Sequence, residues 1–508
     1  MFYLCDAVTS IKLPNSDIGN LKQMQGLFSN CKRLTDIQGL EHLNTSQVTN
    51  MDNVFSYCES LTAIDLSHFN TENVSSMYVM FQFCTSLKQL NLSSFDTRKV
   101  TNFGYMFYNC VGLTSLEFPP SFITESATYM SGMFQQCESL TDIKLGNFNT
   151  SNVTDMSYMF YGCKSLQNLD LSSFNVEKVE NMQAMFAGCS KLTSIDLSHF
   201  NTESLSSMPI MFSGCKALTH IDLSSFNTEK VGSLQSLFYQ CTSLEKVDLS
   251  NFNTTNLKDT RYMFEGCTSL VSVDLSSFAT EKLESMDRMF SDCGKLQTIY
   301  ASSAFTTDIV QWDSDAFKGC TSLPNYDASK TGKELTHIGE GGYFTVAPAW
   351  VRFDEGTGTL TFHCSTAKSD AATDYDLIEE IQAPGWNSNA SDIKTVVFTR
   401  SFRDVRPTNC SAWFLNCSNL SRIDGLENLN TGNVTYMDAM FMNCSSLTSL
   451  DLSGFDTGNV TSMSMMFSGC TGLTSLNLSG FDTGNVTSMS QMFSGCTGLT
   501  SLDLSGFD

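Results

Sequence analysis

The chain has 508 residues, of which 41% are apolar and only 16% charged, and its formal net charge is −24 at pH 7. That length allows about three average domains and a large core. The excess of 53 acidic over 29 basic side chains argues against a nucleic-acid surface and against docking on anionic lipid, both of which need clustered positive charge. No run of about 18 uninterrupted apolar residues is present to cross a bilayer. The opening MFYLCDAVTSIKLPNSD lacks the basic stretch and apolar core of a signal peptide.

Sixteen of the nineteen cysteines close a Phe-x-x-Cys step. Twelve lie in a first group: Cys31, Cys58, Cys84, Cys110, Cys137, Cys163, Cys189, Cys215, Cys241, Cys267, Cys293 and Cys320. Four more, Cys417, Cys444, Cys470 and Cys496, form a second. Within each group the step is 26 or 27 residues. A fixed period of this size marks a solenoid or another repeat array. One thiol per repeat is too few for a metal site, which needs clustered ligands. Stacked repeats hold neighbouring thiols about 5 Å apart with parallel Cβ vectors, a poor geometry for a disulfide. The ladder therefore reads as small, buried, reduced core residues.

The first array runs over residues 1–325, and one repeat, Cys163 to Cys189, serves for all. Leu169 and Leu171 flank Asp170, an alternation that predicts a short strand with one buried face. Val179, Met182, Met185, Phe186 and Cys189 follow at three- and four-residue steps, which predicts a short helix on the opposite face. Gly188, with Gly162 and Gly214 at the same place and Asn30 or Asn109 as substitutes, suits a left-handed residue closing that helix. Asn-Thr or Asp-Thr pairs such as Asn70-Thr71 and Asp96-Thr97 predict turns between the two. Phe160, Phe186 and Phe212 join Cys163, Cys189, Cys215, Cys241 and Cys267 as the internal ladder. The predicted fold is an α/β solenoid in two tandem arrays, with a parallel β-sheet on one face and short helices on the other.

Two sets of side chains on this array are candidates for binding. The residue between the strand leucines is Asp170, Asp196, Asp222, Asp248 and Asp274 in five successive repeats. Stacked about 5 Å apart, these carboxylates repel one another. The column reads as a solvated polar row held by nearby hydroxyls, as part of a partner-binding face, or as a row bridged by a calcium-type cation. Two residues earlier on the same face the sequence varies from repeat to repeat, as at Gln89, Asn168, His220 and Lys246. That variation makes them the better candidates for partner contact, because solenoid sheets present such a face as an extended binding surface. Tyr105, Tyr158 and Tyr262 share one position of the predicted helix, where they pack between repeats or stand exposed.

Residues 326–349 lose the period and read as an end cap and linker. Residues 350–409 hold an alternating pattern around DEGTG, a predicted hairpin, and a cap leading into the second array. The second array, 410–508, has four turns, two of them nearly identical, and stops in mid-repeat, so similar repeats are expected beyond it. Its first repeat, SRIDGLENLNTGNVTYM at 421–437, matches TDIQGLEHLNTSQVTNM at 35–51, each with an extra glycine (Gly425 and Gly39). The arrays are thus a duplication. No nucleophile, nucleotide-binding or metal motif occurs, and the six histidines share no ligand spacing.

The unit L-x-x-L-x-L-x-x-F-N-T-x-N-V-x-x-M-x-x-M-F-x-G-C resembles the BspA-like leucine-rich-repeat surface proteins of bacteria. It is most similar to their Met-Phe-rich subgroup with 26-residue repeats, found in mycoplasmas, lactobacilli and gut anaerobes. The resemblance covers nearly the whole chain. It implies a leucine-rich-repeat-like solenoid at the cell surface or secreted, adhesion to host or microbial proteins or glycans, and neither catalysis nor a cofactor. The signal peptide and anchor usual in the family are not seen in this chain. A passive stalk presenting another domain is the alternative role, and the uniform second array suits it.

Overall fold

Residues 2–15, 21–146, 148–377 and 383–507 are described by a computed structural model. They form two compact units, one of residues 1–273, 278–299 and 304–344, the other of 274–277, 300–303 and 345–508. Each unit stacks coils of about one repeat in parallel register. In the first, Ala63–Asp65 pairs with Gln89–Asn91, Ser115–Leu116 with Asp142–Ile143, and His220–Asp222 with Lys246–Asp248. The strands are short and the sheet is broken into two- and three-stranded pieces, apart from one five-stranded sheet at the start of the second unit. Leu169–Leu171 and Ile195–Leu197, expected as strands, keep the buried–exposed alternation without being paired as strands.

Among the described residues the predicted helices are absent, and the hydrogen bonds give the reason. In the segment 182–189 alternate N–H groups leave the coil: Met182, Ala184, Phe186 and Gly188 donate to the carbonyls of Ser207, Pro209, Met211 and Ser213 in the next coil at 2.7–3.0 Å. The intervening Met185, Ala187 and Cys189 close three-residue turns back to Met182, Ala184 and Phe186. An α-helix would send each N–H to the carbonyl four residues earlier. Here those donors are committed to a neighbour. Two residues per coil take the left-handed conformation, Ala184 at φ 53° and Gly188 at φ 76°, and a right-handed helix cannot hold such a pair. The three- and four-residue spacing is that of consecutive tight turns. Gly162, Gly188, Gly214, Asn30 and Asn109 are left-handed as expected, but as turn residues rather than helix ends. Among the described residues the helical segments are all 3-10, from single turns such as Leu40–His42 and Leu426–Asn428 to the eight-residue Gly385–Asp392 outside the repeats. The longest inter-coil ladder lies on this Met-Phe wall, where single bridges run without a break from Asn50 through Ser76, Asn102, Tyr129, Asp155 and Asn181 to Ser207.

The interior is a file of rings. From Phe28 to Phe317 one phenylalanine per coil stacks on the next with centroids 5.4–5.9 Å apart. Phe414, Phe441, Phe467 and Phe493 repeat the file in the second unit at 5.4–5.8 Å. That unit opens with a hairpin, Ala349–Asp354 antiparallel to Thr359–Cys364. The hairpin then passes in parallel register to Thr395–Phe398 and Arg422–Asp424. Phe362 lies among the rings of Trp386, Phe398, Phe402, Trp413 and Phe414, so the second array starts on a dense aromatic plug. The last coil of the first unit is covered by Tyr343 and Phe344, both packed edge-on to Phe317. This spares a raw apolar end.

Candidate functional site

The chemistry of one coil decides which side chains remain free to meet a partner. The cysteines do not. Along the ladder the thiol donates to the carbonyl of the phenylalanine one coil back from Cys31 to Cys320 and again from Cys444 to Cys496, as in Cys163 to Phe134, Cys189 to Phe160 and Cys215 to Phe186, all at 3.2 Å, and Cys241 to Phe212 and Cys267 to Phe238 at 3.1 Å. All nineteen are free thiols. Burial pushes Cys137, Cys189 and Cys241 up to about 12 and moves Cys163, Cys215 and Cys267 well above the usual thiol range. They are neutral, unreactive ladder rungs.

A second internal ladder escaped the sequence reading. The threonine of each Asn-Thr or Asp-Thr pair is buried and reaches the next coil. Thr71 Oγ1 donates to the Asp96 carbonyl and accepts the Asp96 N–H, both at 2.8 Å. Thr150 does the same with Asn175 at 2.7 and 2.8 Å. The preceding Asn or Asp makes the local turn, as Asn70 Oδ1 does in accepting the Glu72 N–H at 3.1 Å. The one signal in the sequence was that this position is β-branched even where the hydroxyl is lost, at the buried Val176.

The aspartate column is also engaged, locally throughout and at Asp274 by Thr366 as well, whose N–H and hydroxyl donate to Oδ2 at 2.6 and 3.1 Å. Asp170, Asp196, Asp222, Asp248 and Asp274 each accept, through Oδ1, the N–H of the serine two residues on, at 2.8–3.0 Å. Asn91 holds Ser93 in the same way at 3.1 Å. The backbone N–H of Ser172 and that of Ser198 draw Asp170 and Asp196 below the ordinary carboxylate range. Among the described residues no group of three or more His, Cys, Asp or Glu side chains is gathered to hold a metal ion. A carboxyl whose folded-state pKa is depressed contributes stability that is complete above its unfolded value, here 3.8, and is lost as pH falls through the lower folded value. Asn keeps the turn without the charge. Asp170→Asn should therefore be less stable than the parent at pH 7, where the ionised carboxylate contributes, and the gap should close below about pH 4, read as the difference in urea midpoint between the two proteins at pH 7 and at pH 3.

The varied row is free. Gln89, Asn168, His220 and Lys246 are exposed. The parallel register sets His220 beside Lys246 and Asp222 beside Asp248. Asp170 and Asp196, on coils not paired as strands, continue the row without that register. The tyrosines behave otherwise. Tyr105, Tyr158 and Tyr262 occupy the first left-handed turn position, at φ 53–59°, and are half-buried. Tyr105 packs edge-on against Tyr78 and Tyr108, and Tyr158 against Tyr161. Tyr262 lines a small hollow with Tyr239 and the Glu265–Arg288 ion pair, whose atoms lie 2.8 Å apart.

The family model described as "Mycoplasma protein of unknown function, DUF285" matches residues 1–118, 128–247, 193–312 and 408–508. This agrees with the resemblance drawn from the Met-Phe repeat. No curated protein matches the chain. Among solved structures, a leucine-rich repeat protein from Bacteroides ovatus is 16% identical with a TM-score of 0.22, over 98% of this chain and 79% of that one. A leucine rich cell surface protein from Faecalibacterium prausnitzii is 16% identical with a TM-score of 0.22, over 72% and 80%. One from Eubacterium ventriosum, a leucine-rich repeat protein, is 17% identical with a TM-score of 0.32, over 66% and 87%. No helix among the described residues is long and apolar enough to cross a membrane.

Proposed function

This chain belongs to the family described as "Mycoplasma protein of unknown function, DUF285", and on that footing we propose that it is a non-enzymatic interaction scaffold. It works at a cell surface or secreted, and binds host or microbial proteins or glycans through the strand face of its first array. One observation carries this reading. Thiol, threonine and aspartate positions repeat and are used up inside and between coils, whereas the exposed row at Gln89, Asn168, His220 and Lys246 changes chemistry from coil to coil. A row that does not serve the stacking, on a rigid parallel frame, is a surface on which specificity can be written. Tyr105, Tyr158 and Tyr262 would add ring contacts on the opposite wall, and the aspartates flanking the row would favour partners with basic groups.

The alternative, a passive stalk, draws on the second array, where SGFDTGNVTSM recurs unchanged in consecutive coils. The two part in a capture experiment with the full chain on a panel of extracellular-matrix proteins and mucin glycans. The scaffold reading expects a specific partner whose affinity falls about tenfold or more in the triple variant Gln89→Lys, Asn168→Lys and Lys246→Glu, the loss of roughly 1.4 kcal/mol or more. Unchanged capture by the triple variant removes the strand face from the account, and an empty panel leaves the stalk.

A further inference from the structure

The two arrays share a feature that neither the stacking nor the varied row accounts for. Each begins with a coil carrying an extra glycine, and in each that glycine is left-handed: Gly39 at φ 86° and Gly425 at φ 70°. A Cβ at Gly39 would come 3.1 Å from the Leu13 carbonyl oxygen, and one at Gly425 2.2 Å from that of Phe398. Only glycine fits so close to the preceding coil in that conformation. The chain then makes a 3-10 turn, Leu40–His42 in one unit and Leu426–Asn428 in the other. Beside each turn lies a groove on the strand face, of about 680 Å³ in the first unit and about 580 Å³ in the second. Both fall within the usual range of ligand sites.

The linings correspond at their apolar floor and at two carboxylates, and differ where Asp36 of the first stands in place of Arg422 of the second. Ile37, Leu40 and Ile64 in the first groove are matched by Ile423, Leu426 and Leu450 in the second. Glu41 and Asp65 are matched by Glu427 and Asp451. Asp65 and Asp451 are each held below the usual carboxylate range by a serine N–H, so both are ionised at neutral pH. No lysine or arginine lines the first groove. The single arginine of the second, Arg422, is paired with Asp424 at 2.7 Å.

We infer that these two grooves are paired docking sites for a peptide segment in which an aliphatic side chain neighbours a lysine or arginine. The apolar floor takes the aliphatic side chain, and the two carboxylates beside it take the cation. An anionic ligand is repelled by the same carboxylates. The one aromatic ring lining the second groove, Phe455, is buried at 4% exposure and offers no open face on which a sugar would stack. The inference rests on the strand-face reading and deepens it by naming a partner chemistry for that face of the first array, with a like groove on the second array by itself. Of the triple variant's positions Gln89 lines the first groove, whereas Asn168 and Lys246 lie outside both, so a variant changed at Asn168 and Lys246 alone tests the strand-face reading separately from the grooves.

The probe is a fluorescein-labelled peptide, acetyl-Gly-Leu-Lys-Leu-Lys-Gly-amide, titrated into the full chain and followed by anisotropy. Controls replace either both lysines by glutamate or both leucines by glycine. Ala63 and Ser449 line the two grooves at exposed strand positions, so Ala63→Trp and Ser449→Trp fill the grooves without entering the core, and thermal melts verify this. The expected result is saturable binding at two sites, one lost in each single variant and both in the double, with neither control peptide bound. Equal binding of the leucine-free peptide, or binding that survives in the double variant, would reduce the effect to general attraction by a chain of charge −24 and overturn the inference. So would an absence of saturation up to about 1 mM. In each of those cases the strand-face reading stands or falls by its own variant at Asn168 and Lys246.

Discussion

Phe186→Ala is expected to lower the stability of the first unit by about 3–5 kcal/mol, the range for removing a fully buried aromatic ring. Phe186 is fully buried and lies nearly parallel between Phe160 and Phe212, with centroids 5.9 and 5.5 Å away and interplanar angles of 3° and 15°. Its removal opens a hole in the file that neither neighbour can close, because each is stacked on a further ring on its other side. The backbone bonds survive: the Phe186 carbonyl still accepts the Cys189 N–H at 3.1 Å and the Cys215 thiol at 3.2 Å. The cost is thus mainly lost burial and an unfilled cavity. Because each coil contacts only its neighbours, the defect should also weaken the coupling between the coils on either side. Urea unfolding of the variant should show a lower midpoint, with the transition broadened or split. A change below about 1 kcal/mol with the parent's slope would mean that the ring file does not hold the coils together.

The sequence carried the period, the core and the left-handed turn residues, and it misassigned the wall opposite the strands. The reason is specific. Met182, Met185, Phe186 and Cys189 point inward at steps of three and four whether the backbone is a helix or a run of tight turns. The two are told apart by where the N–H groups go, and Phe186 N–H goes to Met211 in another coil, a fact with no local signature. The hint lay in position 188, glycine or asparagine in so many repeats, once it is seen that Ala184 four residues earlier is left-handed too. The threonine ladder was hidden because a turn-forming Asn-Thr pair and a coil-bridging threonine look alike until Thr71 is found buried against Asp96. The strand-face row was legible because exposure there follows from simple alternation about the inner leucine. The grooves were half legible: Gly39 and Gly425 stood out as insertions, but the space beside the turns they create depends on the coils that follow.

Every structural claim rests on coils whose thiols stand in one internal file, and native thiol labelling tests that file most directly. The 508-residue chain is treated with iodoacetamide at pH 8, with and without urea, and each cysteine is followed by peptide mass mapping. Only Cys5 and Cys496 are partly exposed, and these two should react in the native protein. The buried thiols, held neutral by burial and bonded to carbonyls one coil away, can react only when their coils open. Coil opening that costs even about 5 kcal/mol slows labelling on the order of 10³-fold or more. In urea all nineteen should label alike. Native labelling of Cys163, Cys189 and Cys215 at the rate of the unfolded chain would contradict the account.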